Sequence, residues 1–483
     1  MGKLESFIGF EEGNDNVLHL AKVLFVLLPF ASVVFTLSTT FYMIFIAEAI
    51  GGGDYIQGLG IVGMLVVVQM IVQTVLDYPS GALGDWIGQR YVIAMGNTAW
   101  GIGFFMVSFV DSTTPFAYLV AIYVLQGFGA SQISGAWGAW FDNNYRYANP
   151  EDTERKQYGV FWGRVGMIGQ IAATLSLIPG GILATLFGRP WVFQIEAVGA
   201  IIFAMMVLRL IRDFPEVEEM REERPTMGEY IDLLKSGVSF LYKTPYVKYI
   251  VIGSMLAVST ISVWGNLILF PLYFSYLLTD VAVASYRTIL FVPGVISEER
   301  SGVWSQRFEP RKWIPRFRIL QACGFFFYLI LSIMMYVFPP ASNGGDFVRI
   351  MVPLTEIELL QIPVGNIIPI IVLFFLFSTT LIFGGFAEIL TQRILLDVIP
   401  NRIRNSVYSL SPTIMILFAM PQIAVFGWLI PIAGFPATLA TIGTISLIGV
   451  LIIRHGLDQP RPAVPLEEKE PDATSEATIE VSD

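Results

Sequence analysis

Apolar residues in this chain fall into long runs separated by short polar links, from end to end. A bilayer's hydrocarbon core of about 30 Å takes roughly 20 apolar residues of helix. By that measure twelve runs predict spanning helices. Six lie near residues 20–48, 56–83, 91–110, 115–141, 158–186 and 190–211, and six near 247–276, 282–304, 314–338, 366–394, 405–431 and 434–454. The eighth run is the most polar, with Arg287, Pro293, Glu298, Glu299 and Arg300, and predicts a helix facing protein or water instead of lipid.

The longest polar link, residues 212–246, falls near the middle of the chain. It predicts a solvated connector with a short amphipathic helix around residues 227–242. The expected organisation is a cytoplasmic segment at 1–19, a six-helix bundle at 20–211, this connector, a second six-helix bundle at 247–455 and a tail at 456–483. Composition agrees with the apolar pattern: 54% of residues are hydrophobic, only 14% are charged, and the mean hydropathy is +0.65. A soluble chain of 483 residues needs far more charge to cover its surface. The fold class expected is therefore an all-α polytopic membrane protein with twelve transmembrane helices.

Charge adds direction. The even-numbered links and the connector hold Arg90; Arg146, Arg155 and Lys156; Arg212, Arg221 and Arg224; Arg307, Arg311, Lys312, Arg316 and Arg318; and Arg402 and Arg404. The odd-numbered links hold only Arg189, Arg287 and Arg349. The positive-inside bias then predicts that both termini are cytoplasmic. Of the formal net charge of −10, the tail from Asp458 onward carries −6, eight acids against Arg461 and Lys469. This tail is rich in proline and acid and is expected to be disordered. The polar, acidic start of the chain and the length of the first apolar run do not read as a cleaved signal peptide. A single cysteine, Cys323, excludes an intrachain disulfide, and His19 and His455 lie far apart, so no metal-ligand spacing exists and no cofactor is expected.

The two halves echo each other. Ser80-Gly81 after the second run aligns with Ser301-Gly302 after the eighth, Asp77 with Glu298, and Arg90 with Arg311. NPEDTERKQYG after the fourth run is echoed by IPNRIRNSVYS after the tenth. Such echoes at corresponding positions argue for internal duplication, as transporter folds show.

The link after the second run reads PSGALGDWIGQR, residues 79–90. Gly81 would let two helices approach closely, Gly88 suits a positive φ in the turn, and Asp85 is a short anion that a helix N-terminus attracts. Within this stretch Gly81, Leu83, Asp85, Gly88 and Arg90 resemble the loop signature of the major facilitator superfamily, with Trp86 and Gln89 where the family usually has bases. The resemblance covers essentially the whole chain and implies the fold of two six-helix bundles. It also implies that Asp85 meets the start of the eleventh helix, around Asn405 and Ser406, and that Arg90 pairs with Asp142 at the end of the fourth. These contacts would latch the halves together on the cytoplasmic side. SGAWGAWFDNN, residues 134–144, is similar to a stretch of drug-exporter-like branches. Two exporter signatures are degraded: Tyr123 stands where the family has an arginine, and Pro179-Gly180-Gly181 lacks the usual glycine-proline order.

Charges inside spans are candidates for function. Asp77 reads as gate structure or an ion site, and Arg164 as a contact for an anionic substrate or a partner of Asp142. Glu196 is either a desolvated carboxyl that binds a proton or a hydrated interfacial group. Glu388 is a proton site, an inner-gate contact or a solvated helix end, and Arg287 reads as an outer-rim residue. A cavity between the halves near the bilayer midplane would draw its walls from Thr36, Thr39, Thr40, Tyr42, Gln126, Gln132, Trp264 and Asn266, each of which could instead bond helix to helix.

The function expected is secondary active transport of a small solute by alternating access, with proton coupling as the default through Glu196 and Glu388. The alternatives are a facilitative uniporter and a transport-inactive receptor or scaffold. No glycine-rich nucleotide loop ending in lysine is present, and neither a histidine pair nor a cysteine nucleophile at catalytic spacing suggests an enzyme. The expected partners are a small-molecule solute and membrane lipid, with no nucleic acid. A monomer in the plasma membrane is expected.

Overall fold

The computed structural model describes residues 15–152, 156–219, 227–341 and 345–462. The first 14 residues, Arg155, Arg221 and Arg224 of the links, and the tail beyond 462 lie outside the described residues. The first apolar run forms α1 (Asp15–Val34) and α2 (Tyr42–Ile50), separated at FTLSTTF by tight turns in which the Phe41 amide donates to the Ser38 carbonyl at 3.0 Å. Hydroxyl-rich sequence supports this break because Ser and Thr side chains compete for backbone partners. The Thr36 hydroxyl donates to Ser32 O at 2.5 Å and reaches Ala173 O at 3.2 Å.

α3 (Tyr55–Ile87) is capped by Asp54, whose carboxylate accepts from the Ile56 amide at 2.9 Å. It runs on through Pro79, Gly81 and Asp85, and the turn expected over residues 79–90 narrows to Gly88, whose φ of 103° only glycine adopts readily. Then follow α4 (Gln89–Val107), α5 (Phe116–Ile133), α6 (Ala136–Ala148), α7 (Lys156–Phe187) and α8 (Arg189–Leu210). The connector holds α9 (Pro215–Glu219) and α10 (Met227–Lys243).

The second half opens with α11 (Pro245–Val263), a π-helical turn at Trp264–Ile268 and α12 (Leu269–Leu277). The polar eighth run divides into α13 (Asp280–Ile289) and α14 (Phe291–Ser305), and the ninth into α15 (Pro310–Leu320) and α16 (Phe325–Val337). A two-stranded antiparallel hairpin follows, β1 (Phe347–Met351) pairing with β2 (Glu358–Pro363), an addition to the all-helical expectation. α17 (Ile367–Leu396) and α18 (Asn401–Leu457) complete the chain. Within α18 the backbone reverses at Gly434, φ 78°.

Ten helices among the described residues are long and apolar enough to cross a membrane. One of the ten, Leu410–Leu457, is 48 residues long and contains the Gly434 reversal. α4 is not among the ten; Gln89, Arg90, Asn97 and Thr98 dilute its apolar character.

The helices end on two faces. Glu48, Arg189 and Asp280 meet on one, called here the Arg189 end. The opposite face, the Arg90 end, carries Gly88, the connector and the pairs Arg311–Asp458 and Arg461–Asp397. At the Arg189 end, helices of the two halves touch at backbone distance. A Cβ on Gly181 of α7 would stand 3.0 Å from the Asp280 carbonyl of α13, and one on Gly63 of α3 would stand 2.9 Å from the Ile423 carbonyl of α18. Small residues permit such approach where lipid offers no hydrophobic drive for helix association.

Candidate functional site

Two neighbouring cavities lie between the halves. The first, about 240 Å³, is walled by Ser38, Thr39, Tyr42, Gln126, Asn266 and Phe270, among others. The second, about 480 Å³, includes Thr36, Thr39, Gln170, Phe270, Arg287 and Phe377. Thr39 and Phe270 line both, so the break between α1 and α2 and the start of α12 divide one central space.

The Tyr42 hydroxyl and the Gln126 amide nitrogen are buried in the first wall without a hydrogen-bond partner. Buried polar groups are normally satisfied, so these two atoms stand out in the wall as donors or acceptors without a protein partner. Of the expected wall residues, Gln132 and Trp264 stand elsewhere. Gln132 is buried and donates to the Ser131 hydroxyl at 3.3 Å. Trp264 is buried in an aromatic cluster, its ring 5.2 Å from Phe327 and 6.4 Å from Phe377. The π-helical turn that begins at Trp264 rotates the following residues, placing Gly265 and Asn266 in the cavity wall. Thr40 is also buried, and neither cavity is lined by it.

Glu196 of α8 is fully enclosed behind the first wall. One carboxyl oxygen accepts the Ser38 amide at 2.8 Å, and the other has no partner. The hydrated interfacial alternative for Glu196 does not hold here. Its donor is a backbone group freed by the α1–α2 break, so the break supplies both the cavity wall and the carboxyl's hydrogen bond.

Arg189, which sequence reading counted only as a stray base, joins the halves. Its guanidinium meets Asp280 through two bonds of 2.9 Å and Glu48 at 2.5 Å. The Arg189 and Asp280 side chains are 15% and 10% exposed, so this forked pair is largely withdrawn from water. Nearby, the Thr288 hydroxyl of α13 reaches the Thr174 carbonyl of α7 at 3.2 Å, and the Tyr55 hydroxyl reaches the Pro271 carbonyl at 3.3 Å.

At the Arg90 end the expected latch takes a different form. Arg90 donates to the Tyr91 hydroxyl at 2.7 Å, whereas Asp142 accepts from Arg146 one helical turn on. The expected Arg90–Asp142 pair is therefore not formed, because each group has a local partner on its own helix. Asp85 accepts from Gln89 at 3.2 Å, so the residue replacing a family base contacts the motif's acid. Among the described residues no atom lies within 4 Å of where a Cβ on Gly81 would stand, while Gly84 packs against Gln89. The side chains of Asn405 and Ser406 lie outside the described residues. Leu83 is half-buried on the last turns of α3. Asp77 is exposed, and its carbonyl accepts the Ser80 hydroxyl, which also reaches Ser131 of α5. Arg164 is half-buried on α7 and lines neither central cavity.

Glu388 pairs at 2.7 Å with Arg318, whose side chain is only 2% exposed. The pair borders a third cavity of about 460 Å³ within the second half. Arg287, expected at the outer rim, instead lines the second central cavity, because α13 packs against α7 and turns that face inward.

A bundle of membrane-crossing helices around a central solute-sized space defines a multi-pass membrane transport protein. Residues 24–354 match the model of the Major Facilitator Superfamily, and the chain belongs to that family, whose fold serves transport and not catalysis. Solved structures of similar fold include a mutant of the nucleoside transporter NupG, with 12% identity and a TM-score of 0.63 over 92% of this chain and 100% of that one. A POT family transporter in complex with 5-aminolevulinic acid is 13% identical, with a TM-score of 0.59 over 91% and 96% of the two chains. A D-xylose-proton symporter is 13% identical, with a TM-score of 0.54 over 90% and 95%. At these identities the likeness is one of fold. No curated protein sequence matches significantly.

Proposed function

We propose that the chain is a secondary active transporter that moves a small solute by alternating access between two six-helix bundles, residues 20–211 and 247–455. Counting α4 and the two arms of α18 on either side of Gly434 brings the ten detected spans to the twelve of this architecture. The observation that carries the reading is the central space between the halves, with a charged clamp across one end of it. With the Arg90 end placed in the cytoplasm by its bases, the Arg189 clamp is the outer gate, and the plasma membrane is the site of action. The likeness in fold to a nucleoside transporter and a peptide transporter supports a small solute as cargo.

Proton coupling is assigned to Glu196. A wholly buried carboxyl with one donor and one unsatisfied oxygen is at ease with a proton on the free oxygen, and it loses that ease when the proton leaves. Release would strengthen the bond from the Ser38 amide and leave the other oxygen bare, and Ser38 forms part of the cavity wall, so protonation and solute contact share one segment. Glu388, paired with Arg318, is better suited to holding the helices of the second half together. The experiment is solute uptake into proteoliposomes with and without an imposed inward proton gradient. Coupled uptake should be gradient-driven in wild type and gradient-independent in Glu196→Gln. Uptake that ignores the gradient in wild type refutes the coupling and leaves a facilitative uniporter.

A further inference from the structure

The second central cavity holds a cation that the fold leaves without an acid. Arg287 lies seven residues into α13, about 10 Å along the helix from the Asp280 clamp. Among the described residues no carboxylate lies within ion-pair distance of it. Asp280 and Glu48 are committed to Arg189, Glu388 to Arg318, and Glu196 is enclosed behind Ser38. Arg287 is also the only charged residue among the described walls of the two central cavities. An uncompensated guanidinium inside a membrane bundle is costly and calls for a counter-charge.

The walls around it are selective in a second way. Leu177, Leu269, Phe270, Phe291 and Phe377 make the second cavity largely apolar, while Thr39 and Gln170 add neutral polar groups. Its volume, about 480 Å³, lies in the range of small-molecule sites. A planar fork of donors matches a carboxylate or phosphate by paired hydrogen bonds, which a neutral amide cannot equal. We infer that the transported solute is a small organic anion, one carboxylate or phosphate on an apolar body, and that Arg287 is the residue that selects its charge.

This inference rests on the transporter reading. The wall belongs to both halves, Thr39 and Gln170 from the first and Arg287 and Phe291 from the second. An anion seated on Arg287 therefore contacts both, and its charge would be felt by the elements that must move apart.

The test uses purified full-length protein, as wild type, Arg287→Gln and Arg287→Lys, with size-exclusion profiles as the folding control. Proteoliposomes are offered benzoate, octanoate and phenyl phosphate together with the uncharged benzamide and octanamide and the cationic benzylamine. Uptake is read by mass spectrometry, and the same compounds are screened by thermal shift. We expect wild type to take up at least one of the anions and to exclude its neutral or cationic counterpart. In Arg287→Gln that uptake should fall about 10- to 100-fold, the size of losing a charged hydrogen-bond partner, and Arg287→Lys should recover part of it. Comparing benzoate with phenyl phosphate separates a carboxylate site from a phosphate site. Uptake confined to amides or the amine, or anion uptake equal in wild type and Arg287→Gln, overturns the inference. If no compound enters, the transport reading fails for this set, and the thermal shifts still decide the site. Stabilisation by anions alone that disappears in Arg287→Gln supports it, and no anion-specific stabilisation overturns it.

Discussion

The two ends of the molecule handle the same kinds of residue differently, and α7 shows the contrast within one helix. At the Arg189 end its Gly181 lies against the backbone of α13, in the other half. Toward the Arg90 end, Gly163 and Gly166 of the same helix have no described atom within 4 Å of where a Cβ would stand. α3 repeats the pattern, with Gly60 and Gly63 against Trp428 and Ile423 at one end and Gly81 in open space at the other. Charges follow the glycines. Arg189 reaches across to Asp280, while pairs described toward the Arg90 end, among them Arg146–Asp142, Arg318–Glu388 and Arg461–Asp397, do not bridge the halves. Among the described residues, contacts of the two halves at backbone distance are found at the Arg189 end. There the clamp and the glycine seams act together.

The contrast can be broken most severely at the clamp. Arg189→Gln leaves Asp280 and Glu48 without their cation. A fully buried pair broken this way costs about 3–5 kcal/mol, and exposure of 31% at Glu48 brings the expected loss nearer the lower end. The readout is a lower melting temperature in detergent together with impaired solute uptake. Lysine at the same position should rescue only partly, since it cannot engage both oxygens of Asp280.

The glycine seams come next. Gly181→Ala must displace the α13 backbone, at an overpacking cost of about 1–3 kcal/mol. Gly166→Ala, in open space on the same helix, should be neutral or stabilising by about 0.5–1 kcal/mol through helix propensity. Opposite signs of melting-temperature change within one helix would sharpen the comparison, and equal losses would dissolve it.

Glu388→Gln should cost roughly 1–3 kcal/mol, because Arg318 is buried and keeps only an amide partner. Since both residues lie in the second half, this loss should leave the spacing of the two halves at the Arg189 end unchanged. The smallest effect belongs to Asp111, in the link between α4 and α5. Its carboxylate accepts from the Thr113 amide and hydroxyl at 2.8 and 2.7 Å, and these bonds hold its pKa below the ordinary value. The local stabilisation is therefore complete at neutral pH and is lost as pH falls through the lowered value. Asp111→Asn should shift melting only slightly and flatten that acid dependence.

The spans themselves were legible in the sequence because a membrane helix needs a long apolar run and this chain supplies them cleanly. The Gly88 turn is legible too, as a glycine suited to positive φ within the motif at residues 79–90. What escaped were features set by packing. The clamp joins Glu48, Arg189 and Asp280, residues separated by 141 and 91 positions, and nothing local to any of them names the others. Rarity was the available signal, since Arg189 is one of few bases on the odd-numbered links. Arg287 reads as an outer-rim residue in the sequence, whereas the packing of α13 against α7 brings it into the cavity wall. Trp264 reads as one of a polar and aromatic wall set, but its ring packs against Phe327 and Phe377. The hairpin at residues 347–363 is not legible because its strands are short, five and six residues, and lie in a polar link.

The most direct test is a distance measurement across the Arg189 end, between spin labels placed on the exposed Gln57 and Phe338, one in each half. The wild-type protein should give a narrow, short population, and Arg189→Gln should add a longer one. A distribution in Arg189→Gln that matches wild type would contradict the claim that this residue holds the two halves together.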